Sequence, residues 1–400
     1  MKVLYLTVLE NTEKNHIHEN QVLTLQSSNV DYRFLFISPL FILNRMNCKI
    51  NRNEYLDKKK CRELKIPILS FNFYLYVILI PYVLLWSTPI VAYHVVKFKP
   101  QILHCRNLLS SFVAVFLQKL LGFKYSVIAD PRSVYPEEGA IIKRWRFNSF
   151  NYRVWKKIEK WTFKHADACI GLSHYFTDYL SCYNENSYYI PAVVAESKKY
   201  DGNIRNNLRK KYKIEQDELV VIYVGSIGLW HDVDLLIRIV EIIASIKCER
   251  FKIIALSSSK NLKQKLRNRF KDKCILCDVV PVEAVKHFLF MADIGIVPGT
   301  LQDGEEYEIL YRTMLASKAE EYLCAGLPIV VNDRIISLKD YVEKNNWGGV
   351  YTSKQDNIEN ACVRIYSSEE RERISKEAME IFGLEVVKEK LFKLYVQLIG

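Results

Sequence analysis

Ser317-Lys-Ala-Glu-Glu-Tyr-Leu-Cys-Ala-Gly326-Leu-Pro328-Ile-Val-Val331 holds a helix, a stop and a strand in one short run. Lys318–Cys324 predicts a helix, Gly326 ends it, and Pro328–Val331 predicts a buried strand. The same grammar runs upstream. Leu219–Val224 is a strand closing on Gly225, and Asp234–Ser245 is helical. Phe251–Leu256 and Cys274–Val280 are strands, Glu283–Met291 is helical, and Ile294–Val297 is a strand. Downstream, Ser367–Leu398 reads as a helical tail with apolar residues at 381, 384, 387, 391, 394, 395 and 398. Alternating strands and helices predict a parallel sheet with helices on both faces.

The first half carries the pattern independently. Strands are predicted at Lys2–Thr7, Tyr32–Ile37, Gln101–His104, Tyr125–Ala129, Asp167–Leu172 and Ser187–Ile190, with a helix over Leu108–Leu121. Between the halves, residues 196–218 are polar, have little apolar periodicity, and read as a linker. The expected organisation is a domain over 1–195, a linker over 196–218, a second domain over 219–380 and a closing helix over 381–400.

The chain has 400 residues, 50% hydrophobic and 26% charged, which suits a globular protein of two or three domains and excludes a disordered or collagen-like chain. Its net charge of +12 favours acidic partners: nucleic acid, phosphorylated metabolites or anionic lipid. The 10 cysteines stand mostly alone in apolar surroundings and read as small buried hydrophobes, Cys248 among them. Cys274 and Cys277 form a close pair without further ligands nearby, so no zinc site is expected. The opening MKVLYLT is too short for a signal-peptide core and reads as a first strand, so secretion is not expected.

Two segments depart from the grammar. Residues 66–96 contain no Lys, Arg, Asp or Glu. Three readings stay open for them: a membrane span, opposed by Pro81 and Pro89; a helix embedded in a membrane surface; and an ordinary buried helix. Residues 141–165 hold eight Lys or Arg against one Glu, with seven aromatic residues among them. They predict an amphipathic helix whose basic face is either only solvated or docked on anionic headgroups, with Lys143, Arg144, Trp145, Arg146, Trp155, Lys156 and Lys157 as the contacts.

The chemistry-bearing residues lie at the ends of strands and the starts of helices. Gly225-Ser226-Ile-Gly228 can present backbone N–H groups to a phosphate, and no GxGxxG dinucleotide signature is present. Lys318 and Glu321 share a helix face near its N-terminus. Ser317 is the expected N-cap, with Glu320 placed for a capping box. A cation at a helix start opposes the helix dipole unless an anion sits there. The plainer reading is a capped surface helix with an ion pair. Asp130-Pro-Arg132 at a strand end is either a turn or a pair aimed at a ligand.

The run Lys318-x-x-Glu321-Tyr322-x-x-x-Gly326-x-Pro328-Ile-Val resembles the donor-binding helix of retaining GT-B glycosyltransferases of family 4. Tyr223-Val-Gly-Ser-Ile, the segment from Val279 through Ala292-Asp293-Ile-Gly-Ile-Val-Pro298, and Phe382-Gly-Leu-Glu-Val-Val resemble further parts of that family in the expected order. Gln101-Ile-Leu-His104-Cys-Arg106, Asp130-Pro-Arg132 with Glu137-Glu138, and Ala166–Ser173 resemble the acceptor domain of its polysaccharide and lipopolysaccharide members.

The resemblance implies two Rossmann-like βα domains facing across a cleft, with a C-terminal helix crossing back to the N-domain. It implies sugar transfer from a nucleotide diphosphate sugar to a lipid-linked saccharide or glycan, with retention and with no metal or other cofactor. Catalytic roles fall on Asp130, Arg132 and Lys318; donor binding on Gly225, Ser226, His231, Arg312, Lys318 and Glu321; acceptor binding on His104, Arg106, Glu137 and Glu138. A peripheral protein on the inner face of the cytoplasmic membrane follows. The chain departs from the pattern where Thr313 stands in place of a first glutamate, and where Ser226 and His231 replace an Arg and a Lys. A GT-B-like epimerase or a catalytically silent subunit is the alternative. A nucleic-acid binder is disfavoured because no recognition-module signature appears.

Overall fold

The computed structural model describes residues 1–9, 24, 30–41, 61–68, 79–195, 199–228, 230–247, 250–278, 280–359 and 362–400. Positions 69–78 of the apolar segment, 196–198 of the expected linker, Cys248 and Val279 lie outside them. The chain divides into two units, Met1–Val193 with Val387–Gly400, and Val194–Val386.

In the first unit a parallel sheet is built from β1 (Lys2–Val8), β2 (Asp31–Phe41), β3 (Cys61–Ile68), β4 (Ile102–Arg106), β5 (Ser126–Asp130), β6 (Ala168–Gly171) and β7 (Ser187–Tyr189). Its order is β3-β2-β1-β4-β5-β6-β7. Strand β4 is buried along its whole length, as expected for a sheet covered on both faces. The helices are α1 (Leu79–Phe98), α2 (Leu108–Leu121), α3 (Tyr135–Ile141), α4 (Phe150–His165) and α5 (His174–Ser181). Asn107 caps α2 by accepting from the Ser110 N–H, and Gly122 ends it in the left-handed conformation.

The second unit repeats the order. Strands β8 (Leu219–Val224), β9 (Phe251–Leu256), β10 (Cys274–Cys277), β11 (Ile294–Val297), β12 (Ile329–Asn332), β13 (Gly348–Thr352) and β14 (Asn357–Ile358) run β10-β9-β8-β11-β12-β13-β14. Only the short β14 is antiparallel to its neighbour. Helices α6 (Gly202–Lys211), α7 (Val233–Lys247), α8 (Lys260–Phe270), α9 (Val282–Met291), α10 (Glu305–Thr313), α11 (Ser317–Cys324), α12 (Ile336–Asn345) and α13 (Ser368–Phe382) cover it. In both sheets the chain reverses direction of winding beside the first strand. Each unit therefore has a switch point, between β1 and β4 and between β8 and β11, where open α/β sheets hold ligands at their C-terminal strand ends.

The expected linker is a correction. Residues 202–211 form α6, started by Asp201, whose carboxylate accepts from the Asn203 and Ile204 N–H groups. Its Arg205 and Arg209 are buried. They converge with Arg371 on Asp293 and on the last carbonyls of α9: Arg205 bonds the Asp293 carboxylate and the Phe290, Met291 and Ala292 oxygens, and Arg209 lies 3.1 Å from Asp293 Oδ2. A helix C-terminus carries partial negative charge, so it takes the cations that one carboxylate cannot balance.

The helical tail is two helices, α13 and α14 (Leu384–Ile399). They part at Gly383, because the Phe382 carbonyl accepts the Val194 N–H at 2.8 Å. From Val387 onward α14 belongs to the first unit. Helix α1 runs through Pro89, which lies on its exposed side. No helix among the described residues is long and apolar enough to cross a membrane.

Candidate functional site

In the second unit, β8 ends at Gly225, whose φ of +128° suits a residue without a side chain. A Cβ there would come 3.0 Å from Lys318 Nζ. The Lys318 ammonium donates to the Tyr223 hydroxyl at 3.2 Å and lies 4.4 Å from the centre of the Tyr223 ring. Among the described residues it pairs with no carboxylate, Glu321 included. Burial pushes its pKa down to about 7. His231 closes the turn: its backbone exchanges hydrogen bonds with Gly228 and its ring lies 6.1 Å from that of Tyr223. Burial, then the nearby Lys318, hold its imidazole well below its ordinary pKa and so neutral. Its Nδ1 is buried without a hydrogen-bond partner.

Helix α11 begins beside Lys318 without a side-chain cap. Ala316 holds the N-cap position, so the expected Ser317 cap with a Glu320 capping box does not form. Glu320 is instead buried. An uncapped helix start, a glycine turn and a cation without a counter-ion make one positive pole, suited to a phosphate. Ser226 turns its carbonyl to the Tyr223 hydroxyl at 2.8 Å. Arg312 is exposed in the last turn of α10 and is not among the contacts of Lys318. Thr313 turns its hydroxyl back to the Ile309 carbonyl at 2.8 Å, capping its own helix.

Sequence reasoning passed over two tyrosines. Tyr223 supplies the π face under Lys318. Tyr322 accepts the Val224 N–H at 2.7 Å, which fixes the end of β8. A Cβ at Gly295 would fall 2.4 Å from the Tyr322 ring, so this glycine is what lets the ring in.

In the first unit, β4 and β5 end side by side and bring His104, Arg106, Asp130 and Arg132 together. Arg132 Nε lies 2.9 Å from Asp130 Oδ1, and His104 Nε2 lies 3.3 Å from Asp130 Oδ2. Burial pushes the Asp130 pKa up, but Arg132, the His104 hydrogen bond and Arg106 outweigh it, and the carboxyl stays ionised. A carboxylate only accepts, so His104 carries its proton on Nε2. Its Nδ1 shares a 2.6 Å hydrogen bond with the Tyr395 hydroxyl. Tyr395 sits 291 positions away, on α14, and no sequence signal joins the two. Arg132 adopts φ +64°, a strained conformation for a side-chain-bearing residue. A cavity of about 20 Å³, room for one water, touches Tyr5, His104, Asp130, Arg132 and Leu391.

Glu137 does not join them. It is buried, accepts from the Tyr152 hydroxyl and Lys156 at 2.7 Å each, and has no surface to offer an acceptor. Glu138 is half-buried and accepts from Ser133.

The basic aromatic segment is partly corrected. Trp145 and Trp155 are only 6% and 0% exposed, stacked with ring centres 6.1 Å apart, and cannot enter a membrane. Lys156 bridges Glu137 and Glu159 at 2.7 Å each. Lys143, Arg146 and Lys157 are exposed and Arg144 is half-buried. The apolar face of α4 is thus packed inward, and six of the segment's eight cations, Arg153, Lys160 and Lys164 among them, face solvent. Among the described residues no three His, Cys, Asp or Glu side chains cluster as metal ligands would.

Residues 204–380 match the family model described as "Glycosyl transferases group 1". No curated protein sequence matches the chain. Among solved structures, sucrose-phosphate synthase from Thermosynechococcus elongatus is 16% identical, with a TM-score of 0.68 over 100% of this chain and 99% of that one. WaaG, a glycosyltransferase involved in lipopolysaccharide biosynthesis, is 15% identical, with a TM-score of 0.60 over 99% of each chain. HepE of Anabaena, solved in complex with UDP and glucose, is 10% identical, with a TM-score of 0.59 over 99% of each chain. The fold is GT-B. With the group 1 match over most of the second unit, it supports a GT-B glycosyltransferase.

Proposed function

We propose that the protein transfers a sugar from a nucleotide diphosphate sugar to a lipid-linked saccharide or glycan, with retention at the anomeric carbon and without a metal or other cofactor. One observation carries the reading: the half-buried Lys318 ammonium, unpaired with any carboxylate among the described residues, stands between the Gly225 turn and the uncapped start of α11. That pole would stabilise the charge growing on the leaving phosphate. Ser226, His231 and Arg312 would contact the pyrophosphate, and Glu321 the ribose hydroxyls. In the first unit, Asp130 and Arg132 would orient the donor sugar or the acceptor hydroxyl, with His104 and Arg106 on the acceptor side. The UDP complex of HepE and the role of WaaG in lipopolysaccharide biosynthesis support a nucleotide sugar and a surface glycan or lipopolysaccharide, respectively. Such acceptors place the protein peripherally on the inner face of the cytoplasmic membrane.

Thermal unfolding against UDP-, GDP-, ADP- and CMP-sugars tests the reading. A ligand at about 100 times its Kd should stabilise by about 2.7 kcal/mol. One nucleotide class should do so, and Glu321→Ala should lose the effect. Acceptor-dependent consumption of that donor, with the product anomer read by NMR, then establishes retaining transfer. Isomerisation of the donor sugar without acceptor would make the protein an epimerase, and no shift with any nucleotide would overturn the donor site.

A further inference from the structure

Helix α1 is apolar all round. One side, with Val83, Val91, Val95 and Phe98, is buried within the first unit. The other carries Leu85 at 70%, Trp86 at 44%, Tyr93 at 56% and Val96 at 63% exposure, with Pro89 exposed between them. Their spacing of three or four places them on one stripe. A helix apolar on every side calls for cover on every side, and among the described residues this stripe has none.

At the C-terminal end of the stripe lies a cavity of about 210 Å³, lined by Leu4, Arg33, Phe34, Arg62, His94 and Lys97. Its polar lining is basic. Arg33, Arg62 and Lys97 form no ion pair among the described residues. The nearest claims on them are aromatic: Arg33 stands 4.3 Å from the Phe98 ring centre, and Lys97 meets the Tyr93 hydroxyl at 3.3 Å. His94, 8% exposed, makes no hydrogen bond among the described residues. Burial lowers its pKa and the three cations lower it further. The dipole at the end of α1 accounts for a cation there, and Lys2 already serves it, donating to the Phe98 carbonyl at 3.5 Å. It does not account for a basic cavity with three cations around it. These groups stand at the beginnings of β1, β2 and β3, the opposite end of the sheet from His104 and Asp130.

We propose that α1 docks this stripe into an anionic phospholipid bilayer, and that the Arg33/Arg62/His94/Lys97 cavity receives a lipid phosphate headgroup. Trp86 and Tyr93 suit the interfacial layer, where a ring meets both hydrocarbon and water. Charge complementarity selects the occupant, because a second copy of this chain would bring the same cations to the same place. The inference deepens the membrane reading above and moves the contact away from the tryptophans of 141–165.

Co-sedimentation of the full chain with vesicles tests it. The protein should bind vesicles of phosphatidylcholine mixed with phosphatidylglycerol, and bind pure phosphatidylcholine far less. Arg33→Gln/Arg62→Gln/Lys97→Gln should weaken binding by about a hundredfold. Trp86→Glu/Val96→Glu should weaken it by about tenfold or more. Lys143→Gln/Arg146→Gln/Lys157→Gln should change it less than the cavity variant. Hydrogen-exchange protection of β4 and β5, within the same unit as the substitutions, reports that each variant is folded. No binding to anionic vesicles, wild-type binding by the cavity variant or by Trp86→Glu/Val96→Glu, or lipid-free dimers dispersed by Trp86→Glu/Val96→Glu would overturn the proposal. So would capture of inorganic phosphate without vesicle binding. Vesicle binding without nucleotide-sugar stabilisation would leave this inference standing and remove the donor site.

Discussion

Lys318 holds its ammonium against a tyrosine ring and a glycine turn, and burial lowers its pKa from 10.5 to about 7. Between those two values the unfolded chain binds a proton that the folded chain does not. Stability from this group therefore rises with pH across that window, and its cost is full below about pH 7. Lys318→Met should accordingly raise Tm at or below neutral pH, with the gain shrinking as pH rises. The same variant should lose nucleotide-sugar binding by about a hundredfold or more, as expected when a site holds strain for its ligand. In the wild type, donor affinity should fall as pH rises past about 7, where the free site loses its charge. Melting curves across pH and calorimetric titration with the donor check all of this. A Lys318→Met protein less stable at every pH would show that the ammonium is structural. Lys318 itself was legible, because a cation at a helix start violates a local rule. Its partner Tyr223 was not, because nothing in spacing distinguishes a tyrosine under a lysine from one in the core.

Strands β8, β9 and β11 stand where the apolar runs put them, since such runs survive burial on both faces. The edges of the sheets were less visible. Strand β13 opens on Gly348-Gly349, and Gly348 at φ +139° packs so closely that a Cβ would lie 2.0 Å from the Ile329 oxygen. Such a strand carries little apolar pattern. Helix α6 escaped because its buried contacts are arginines, which read as solvated charge. Removing their shared carboxylate by Asp293→Asn should cost about 3–5 kcal/mol, since it leaves buried cations uncompensated. Arg250→Gln, which breaks an exposed pair with Asp217, should cost under about 1 kcal/mol. Urea unfolding of both variants separates the cases, and equal costs would show that the α9 carbonyls alone hold the arginines.

The first unit is assembled from two distant pieces of chain, whereas Val194–Val386 is continuous. The twin βα grammar was readable because each half repeats it. The crossing of α14 was expected from a resemblance, and its chemical consequence, Tyr395 on His104, was not. A chain ending at Val386 loses the buried Leu391, Leu394 and Tyr395. It should lose cooperative unfolding of the first unit while the second keeps its nucleotide-dependent melting shift. Scanning calorimetry with hydrogen exchange reads the two separately, and unchanged protection of β4 and β5 would show α14 to be dispensable.

This discontinuity bears on how the chain is made. On the ribosome, N-terminal domains ordinarily finish folding first. Here all of Val194–Val386 emerges before Val387–Gly400, so the second unit can close while the first still lacks a piece. Until then the surface that α14 covers stays open, and a nascent-chain chaperone would find its client in the half that was synthesised earliest.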